Sequence, residues 1–401
     1  MPERLDFTSL PTPCYVLDEA SVTASVGLIR AALARHWPNS VLSFSVKTNT
    51  LPCLNRLLAE QGVWAEVVSG DEFSLATACG YPRGRFVCNG ASKSDAFIRA
   101  AVESGAILHL DSLSEVGCYL ALVGASSSCF GVRVNATEPD FEGEPLSGPL
   151  ASRFGLSVRD GDLRTLAELL RRHPNVRLTS LHLHCNTRTR GLTGYRWLVR
   201  FFSRIVRDYG LTEVDTLDIG GSFGHDFDRS SDGEGRWPSW NEYFAGIAEE
   251  LTREGFVPDR LRLVVEPGSA LISGCMSYVT RVVGERTFNG RRVLQIDGSR
   301  IHVDPHFARA SFRGAVTLVG STPDEDAVSA VYLGGSTCLE KDRLETDGAA
   351  ARANVGDLLV VEKTGAYTYG LSPVLFINRP PVVFVRKPDG RVEPAPSCGW
   401  A

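Results

Sequence analysis

Between residues 24 and 270, short and nearly continuous apolar runs alternate with stretches whose apolar residues recur at helical spacing. Eight runs stand out, at 41–46, 63–67, 85–88, 106–110, 129–134, 178–183, 214–219 and 261–265. They are short for helices and lack polar alternation, the pattern of parallel strands covered on both faces. Amphipathic segments lie between them, among them 96–105 (AFIRAAVESG), 162–173 (DLRTLAELLRRH) and 240–255 (WNEYFAGIAEELTREG). Eight strand-and-crossover units over roughly 250 residues predict a closed (β/α)8 barrel rather than an open doubly wound sheet.

The pattern changes near residue 271. Segments 276–287, 290–297, 315–320, 330–335, 357–363 and 381–387 read as strands separated by Gly, Pro, Asp and Asn rather than by helices. That predicts an all-β unit, an antiparallel sandwich or barrel. The opening segment 12–18 (TPCYVLD) also reads as a strand and is expected to pair with it. The expected domains are therefore a barrel over 24–270 and a β-domain made of 1–23 and 271–401. Two polar, Gly/Pro-rich segments, 136–151 and 225–240, read as long loops of the kind that border barrel sites.

Composition narrows the function. The 401 residues are 43% hydrophobic and 22% charged, with a net charge of −5, which excludes a largely disordered chain. There is no basic block for nucleic acid, no apolar run long enough to span a membrane, and no signal-peptide pattern at the start. The ten cysteines are scattered without CxxC spacing, so free, mostly buried thiols in the cytoplasm are expected rather than disulfides or a zinc site.

A barrel places its chemistry at the C-terminal ends of its strands. Read in order, those ends carry Lys47, Glu66, Asn89, Asp111, Arg133, His184, Gly220–Gly221 and Glu266. One polar strand end means little, since strands commonly finish in polar residues. Eight in succession predict a functional rim. A lysine at such a mouth can be a solvated surface group or, if desolvated, an amine that condenses with a carbonyl. The glycine pair of LDIGGSFG is a tight turn or a backbone cradle for phosphate. His182 and His184 share one face of a strand, which suits either a stacking ring or a metal pair. Glu266 precedes a rigid Pro-Gly turn and can face a cationic ring nitrogen. Lysine, glycine cradle, flat histidine and acid together are what pyridoxal 5'-phosphate requires.

On these segments the chain resembles the fold-type III pyridoxal-phosphate decarboxylases, the group of diaminopimelate, ornithine and arginine decarboxylases. SFSVKTN resembles the lysine motif, HLHCNT the H-x-G-S motif, LDIGGSFG the glycine triplet and VVEPGS the E-P-G-R motif. In the second domain CLEKD resembles a C-x-x-x-D motif and GAYTY the phosphate-binding tyrosine segment. The resemblance implies that Lys47, His184, Glu266 and Cys338 carry the catalysis. It implies cofactor contacts from Lys47, Glu66, Arg133, His184, Thr187, Gly220, Gly221, Ser222, Glu266, Gly268, Ser269 and Tyr367, and no metal. It also implies a homodimer in which Cys338 and Asp342 enter the partner's barrel mouth, with Cys338 as proton donor.

Departures from the family pattern bear on cofactor and substrate. Ser269 replaces the arginine of E-P-G-R, Asn186 interrupts H-x-G-S while Thr187 keeps a hydroxyl, and Glu66 stands for the usual Asp. Asp304 occupies the place of an arginine that meets a distal carboxylate, and Leu339 that of an acid that meets a distal ammonium. Glu340 and Asp342 remain as candidate partners for a cation. The expected activity is thus α-decarboxylation of an amino acid, or of a conjugate as in secondary-metabolite or siderophore biosynthesis, rather than of free diaminopimelate. A racemase of the same fold, a non-catalytic homologue and a metal hydrolase built on His182 and His184 are the alternatives.

Overall fold

The structure is a computed structural model, and it describes residues 7–136, 152–185, 190–224, 237–305, 316–322, 328–346, 348–371 and 381–396. Most of the loops at 136–151 and 225–240 lie outside these residues, as does Thr187. The chain divides into two compact units, one formed by 25–47 with 55–270, the other by 1–24, 48–54 and 271–401.

In the first unit eight parallel strands close a barrel in chain order. With β1 (Cys14–Asp18) belonging to the other unit, they are β2 (Ser40–Ser45), β3 (Trp64–Val67), β4 (Phe86–Cys88), β5 (Ile107–Leu110), β6 (Ser128–Arg133), β7 (Val176–His182), β8 (Thr216–Asp218) and β9 (Arg262–Val265). Each expected run is found within two residues of its predicted limits. The ring closes where β2 pairs with β9, Val41 opposite Val264. One floor of the barrel is apolar, with Val41, Val87 and Val264 packed against Trp64 and Ile107.

Local sequence fixes where the crossover helices start. Ser94 and Ser112 sit just before the helices Asp95–Ser104 and Leu113–Val123, and each side chain accepts a backbone N–H three residues on. Ser239 and Glu242 form a reciprocal capping box at the helix Trp240–Arg253. Gly105, in the left-handed region, ends the first of these.

The second unit is a nine-stranded sheet. Its further strands are β10 (Met276–Phe288), β11 (Arg291–Ile296), β12 (Val316–Val319), β13 (Leu333–Gly334), β14 (Arg343–Leu344), β15 (Leu358–Val361), β16 (Val382–Arg386) and β17 (Val392–Pro394). As predicted, β1 joins it, lying between β10 and β16. Most pairings are antiparallel, but β1–β16 and β11–β13 are parallel, so the sheet is mixed rather than purely antiparallel. The parallel β1–β16 pair joins the two ends of the chain, which no hairpin could do. Its core holds Cys14, Val16, Val279, Leu358, Val360 and Phe384.

No disulfide joins any two of the nine described cysteines. Cys14, Cys79, Cys88 and Cys275 are buried as expected, whereas Cys118, Cys129 and Cys338 are exposed. No described helix is long and apolar enough to cross a membrane.

Candidate active site

The barrel rim gathers the residues that the strand ends predicted. Lys47 lies in the 3-10 turn Val46–Thr48 that leaves β2, and its Nζ donates to Glu66 Oε2 at 2.7 Å. The two partners differ in exposure: the lysine side chain is 40% accessible and the glutamate 1%. Glu66 is the third residue of β3 rather than a residue beyond it, so its carboxylate sits inside the barrel. Ser45 Oγ donates to the same Oε2. The amine is therefore held by a buried acid and still reachable from outside.

Glu266 follows β9 and is buried, and its Oε1 accepts from Asn89 Nδ2 at 2.6 Å. Asp218, the last residue of β8, takes the Gly220 N–H at 2.8 Å on Oδ1, and its side chain also meets the Glu266 carboxyl. Burial, and then the neighbouring Asp218 and Glu66, push the Glu266 carboxyl well above the usual carboxylate range. Burial also raises Asp218, to about 7. Two buried carboxyls this close cannot both ionise readily, and a proton shared between them is the expected state.

Three imidazoles line the same interior. The His109–His182 and His182–His184 ring centroids are 5.2 and 6.2 Å apart. Burial, with Arg133 next to or close behind it among the causes, keeps all three below their ordinary pKa, His109 and His184 at about 3. They are neutral rings at physiological pH. Neither nitrogen of His182 has a hydrogen-bond partner, nor has Nδ1 of half-buried His184. Buried polar atoms left open in this way point to a missing ligand.

The turn after β8 supplies the cradle. Gly220 and Ser222 both have positive φ, 66° and 65°. A Cβ on Gly220 would collide with the His184 ring, and one on Gly221 would lie 2.6 Å from the Glu266 carbonyl oxygen. Only a bare backbone fits between the histidine and the acid. Arg133 ends β6 with its guanidinium 4.7 Å from the Phe154 ring centroid. Gly268 precedes, and Ser269 begins, the short helix Ser269–Ile272.

The remaining predicted residues belong to the sheet unit. Tyr367 is 43% exposed, has φ of 56°, and donates its backbone N–H to the Thr48 carbonyl. Cys338 and Glu340 are exposed and Leu339 half-buried on the turn that precedes β14. Two of the acids have partners within this unit. Asp342 is buried and its oxygens accept from the backbone of Arg300 and from the backbone and hydroxyl of Thr337, so it anchors the turn. Asp304 is not an isolated negative charge, since Arg300 Nη2 and Nε meet its Oδ2 at 2.6 and 3.1 Å. Arg300, four residues earlier, lies in a stretch with no helical pattern of apolar residues, so the i,i+4 pair is not legible in the sequence.

A metal-like grouping is present, but it is not the His182–His184 pair of the alternative reading. His182, Asp218 and Glu266 place ligand atoms within 4.8 Å of one another, whereas His184 stands outside that group. The lysine, the glycine cradle and the open Nδ1 of His184 have no part in such a centre. All of them suit an aldehyde-bearing, phosphorylated aromatic ring.

Comparison with known proteins agrees. Residues 20–273 match the pyridoxal binding domain of the pyridoxal-dependent decarboxylases, and the chain belongs to that family. It is a carboxy-lyase that uses pyridoxal phosphate to decarboxylate an amino acid. Diaminopimelate decarboxylase of Actinosynnema pretiosum subsp. auranticum is 29% identical over 391 residues, covering 95% of this chain and 85% of the relative. The Bacillus subtilis (strain 168) enzyme of the same name is 24% identical over 394 residues, covering 95% and 88%. Among solved structures, the diaminopimelate decarboxylase of M. jannaschi superposes with a TM-score of 0.84 at 20% identity over 98% of this chain and 90% of its own. A Vibrio vulnificus lysine/ornithine decarboxylase complexed with cadaverine does so at 0.76 and 21%, over 94% and 96%. At these identities the structures speak for the fold.

Proposed function

We propose that this chain is an α-decarboxylase in which Lys47 anchors the cofactor, and that its preferred substrate is an amino acid other than free diaminopimelate. The observation that carries the reading is the pair of an accessible Lys47 amine and a buried Glu66 carboxylate beside Glu266, His184 and the Gly220–Gly221 turn. When bound, pyridoxal phosphate supplies the electron sink that allows an amino acid to lose CO2. Glu66 keeps the Lys47 amine placed for attachment to the cofactor aldehyde. The neutral, open-sided His184 offers a flat face for stacking. Glu266, holding or sharing a proton with Asp218, is placed to keep a ring nitrogen protonated at its carboxyl. The backbone of Gly220, Gly221 and Ser222, with Arg133, Gly268 and Ser269, is assigned to the phosphate and its surroundings.

The turn carrying Cys338 is assigned to a neighbouring subunit's barrel, which makes the enzyme a homodimer with shared sites, and we place it in the cytoplasm. Cys338 then protonates the α-carbon. Substrate choice follows from charge. The Arg300–Asp304 pair offers no unmatched cation for a second carboxylate, and Leu339 offers no acid for a free distal ammonium. A charged end left unmatched in a closed site costs several kcal/mol, so an acylated or conjugated side chain is favoured, as in secondary-metabolite or siderophore chemistry.

The test is twofold. Borohydride reduction and peptide mapping should place a pyridoxyl group on Lys47, and a label on another lysine would overturn the site. A screen of basic, acylated and conjugated amino acids for CO2 release should find a better substrate than meso-diaminopimelate. Turnover of meso-diaminopimelate at the best rate would overturn the substrate assignment.

A further inference from the structure

Beneath the rim, three strands bring together polar residues that no motif marks. His109, the third residue of β5, and Ser180, inside β7, are buried to 1% and 3% exposure. Nε2 of His109 lies 2.7 Å from Ser180 Oγ, and its Nδ1 lies 2.8 Å from Asn89 Oδ1. Asn89 Nδ2 reaches Glu266 Oε1 at 2.6 Å and Glu66 Oε1 at 3.2 Å.

We propose that His109 is a positioning residue: held as the Nδ1–H tautomer between Ser180 and Asn89, it fixes the Asn89 amide so that one NH2 group holds both Glu66 and Glu266. The proposal deepens the functional reading above, since these two acids serve the cofactor only if that reading holds.

Each link follows from donor and acceptor chemistry. Glu66 already accepts from Lys47 and Ser45, and the amide edge turned to it and to Glu266 is the N–H edge. The opposite edge of Asn89 is then its carbonyl, which needs a donor. Nδ1 of His109 must carry the proton, and Nε2 is left to accept from the Ser180 hydroxyl. Asp218 Oδ2 stands 3.8 Å from Nδ1, a full ångström beyond the Asn89 oxygen. The ring stays neutral because it is buried near the cations Lys93 and Arg133.

Two neighbours support the placement. Gly131, in the middle of β6, makes room for the imidazole: a Cβ there would lie 2.5 Å from His109 Cδ2 and 2.8 Å from Ser180 Cβ. Lys93 clamps the loop that follows Asn89, donating to Gly90 O at 2.7 Å and to Glu115 Oε2 at 2.9 Å. The asparagine thus has a fixed backbone and, through His109, a fixed amide.

Long-range proton–nitrogen spectra of 15N-histidine-labelled, cofactor-free protein test the tautomer directly. His109, assigned by its absence in His109→Asn, should show Nδ1–H and no titration between about pH 5.5 and 8. An Nε2–H tautomer, or a ring that titrates in that range, would overturn the proposal, and neither result depends on whether the enzyme turns anything over. Kinetics supply the second arm. His109→Phe should lower kcat by about 10²-fold with KM little changed. His109→Asn places an amide N–H near the Nδ1 position and should recover most of that loss, whereas His109→Gln, which reaches toward Nε2, should not. Equal losses in the Asn and Phe variants would sink the proposal. If His109→Phe does not fold, the spectrum of the unaltered protein still decides.

Discussion

Two groups of buried or half-buried acids, one in each unit, are treated in opposite ways by the chain. In the sheet unit Asp304 faces the Arg300 guanidinium, Asp342 takes three donors, and Asp297 accepts from the hydroxyls of Thr12 and Thr280 and the Arg281 backbone. In the barrel Glu66, Asp218 and Glu266 crowd together with an exposed lysine and a half-buried arginine, and burial raises both Asp218 and Glu266 above the ordinary carboxylate range. Burying a carboxyl without full compensation is unfavourable, so a fold that needed only stability would not keep three such groups together. The satisfied set holds a turn and ties the segment before β1 to β10. The unsatisfied set awaits a cationic partner, and this is where the cofactor is expected.

The largest effect should come from the one amine in the unsatisfied set. Lys47→Ala should lower decarboxylation by about 10³-fold or more, measured as CO2 release. Mixing that protein with Cys338→Ala under subunit exchange then asks whether the second unit contributes to a shared site. Some activity should return, because one hybrid site would carry both intact groups. Persistent inactivity after verified exchange would confine Cys338 to its own subunit or remove it as proton donor.

Substitution in the satisfied set should act on folding instead. Asp304→Asn removes the charge opposite a buried guanidinium and should destabilise by about 3–5 kcal/mol in denaturant titration. The double change Arg300→Met with Asp304→Leu should recover much of it. A destabilisation under about 1 kcal/mol for the single change would mean that Arg300 is already compensated elsewhere.

Glu266→Gln returns to the barrel with a smaller effect. The amide keeps the size of the side chain but cannot hold a ring nitrogen in its protonated form. Cofactor should be retained, seen in the visible spectrum, while kcat falls by about 10²-fold. Unchanged turnover would shift the role to Asp218. Dialysis against a chelator should leave the unaltered enzyme active, and loss restored by a divalent cation would instead favour a centre at His182, Asp218 and Glu266.

How far these two regions could be read in advance differs for a physical reason. Strands covered on both faces are apolar throughout, so the barrel and its polar ends, Lys47, Arg133 and Glu266 among them, stand out against the runs they terminate. His109 and Ser180 lie inside such runs, where a single polar residue looks like an interruption. Gly131 was the available signal, because a glycine in mid-strand marks a close approach. Asp304 and Asp342 were visible as charges, but their partners come from Arg300 and Thr337, whose side chains and backbone meet them only after folding. Spacing shows which groups exist, and compensation shows which remain open.

The smallest effect is a dependence on pH, and its sign separates the two sets. Asp218 is raised to about 7 when folded, against an ordinary value of 3.8. Between those values the folded form holds a proton that the unfolded form has released, so the unfolded form binds fewer protons and this group's contribution to stability falls as pH rises. The slope is on the order of 1 kcal/mol per pH unit at its steepest. The neutral His109, His182, His184 and His302 act in the opposite sense below about pH 6.5 and outnumber Asp218, so the trend of the cofactor-free protein as a whole does not report the acid. A difference measurement isolates the acid. Asn at 218 still accepts the Gly220 N–H but cannot ionise, so the stability of Asp218→Asn relative to the unaltered protein should increase from pH 4 through 7, read as the shift in denaturation midpoint. A difference that is flat across this range would show that Asp218 is ionised throughout and already compensated, and the contrast between the two sets of acids would collapse.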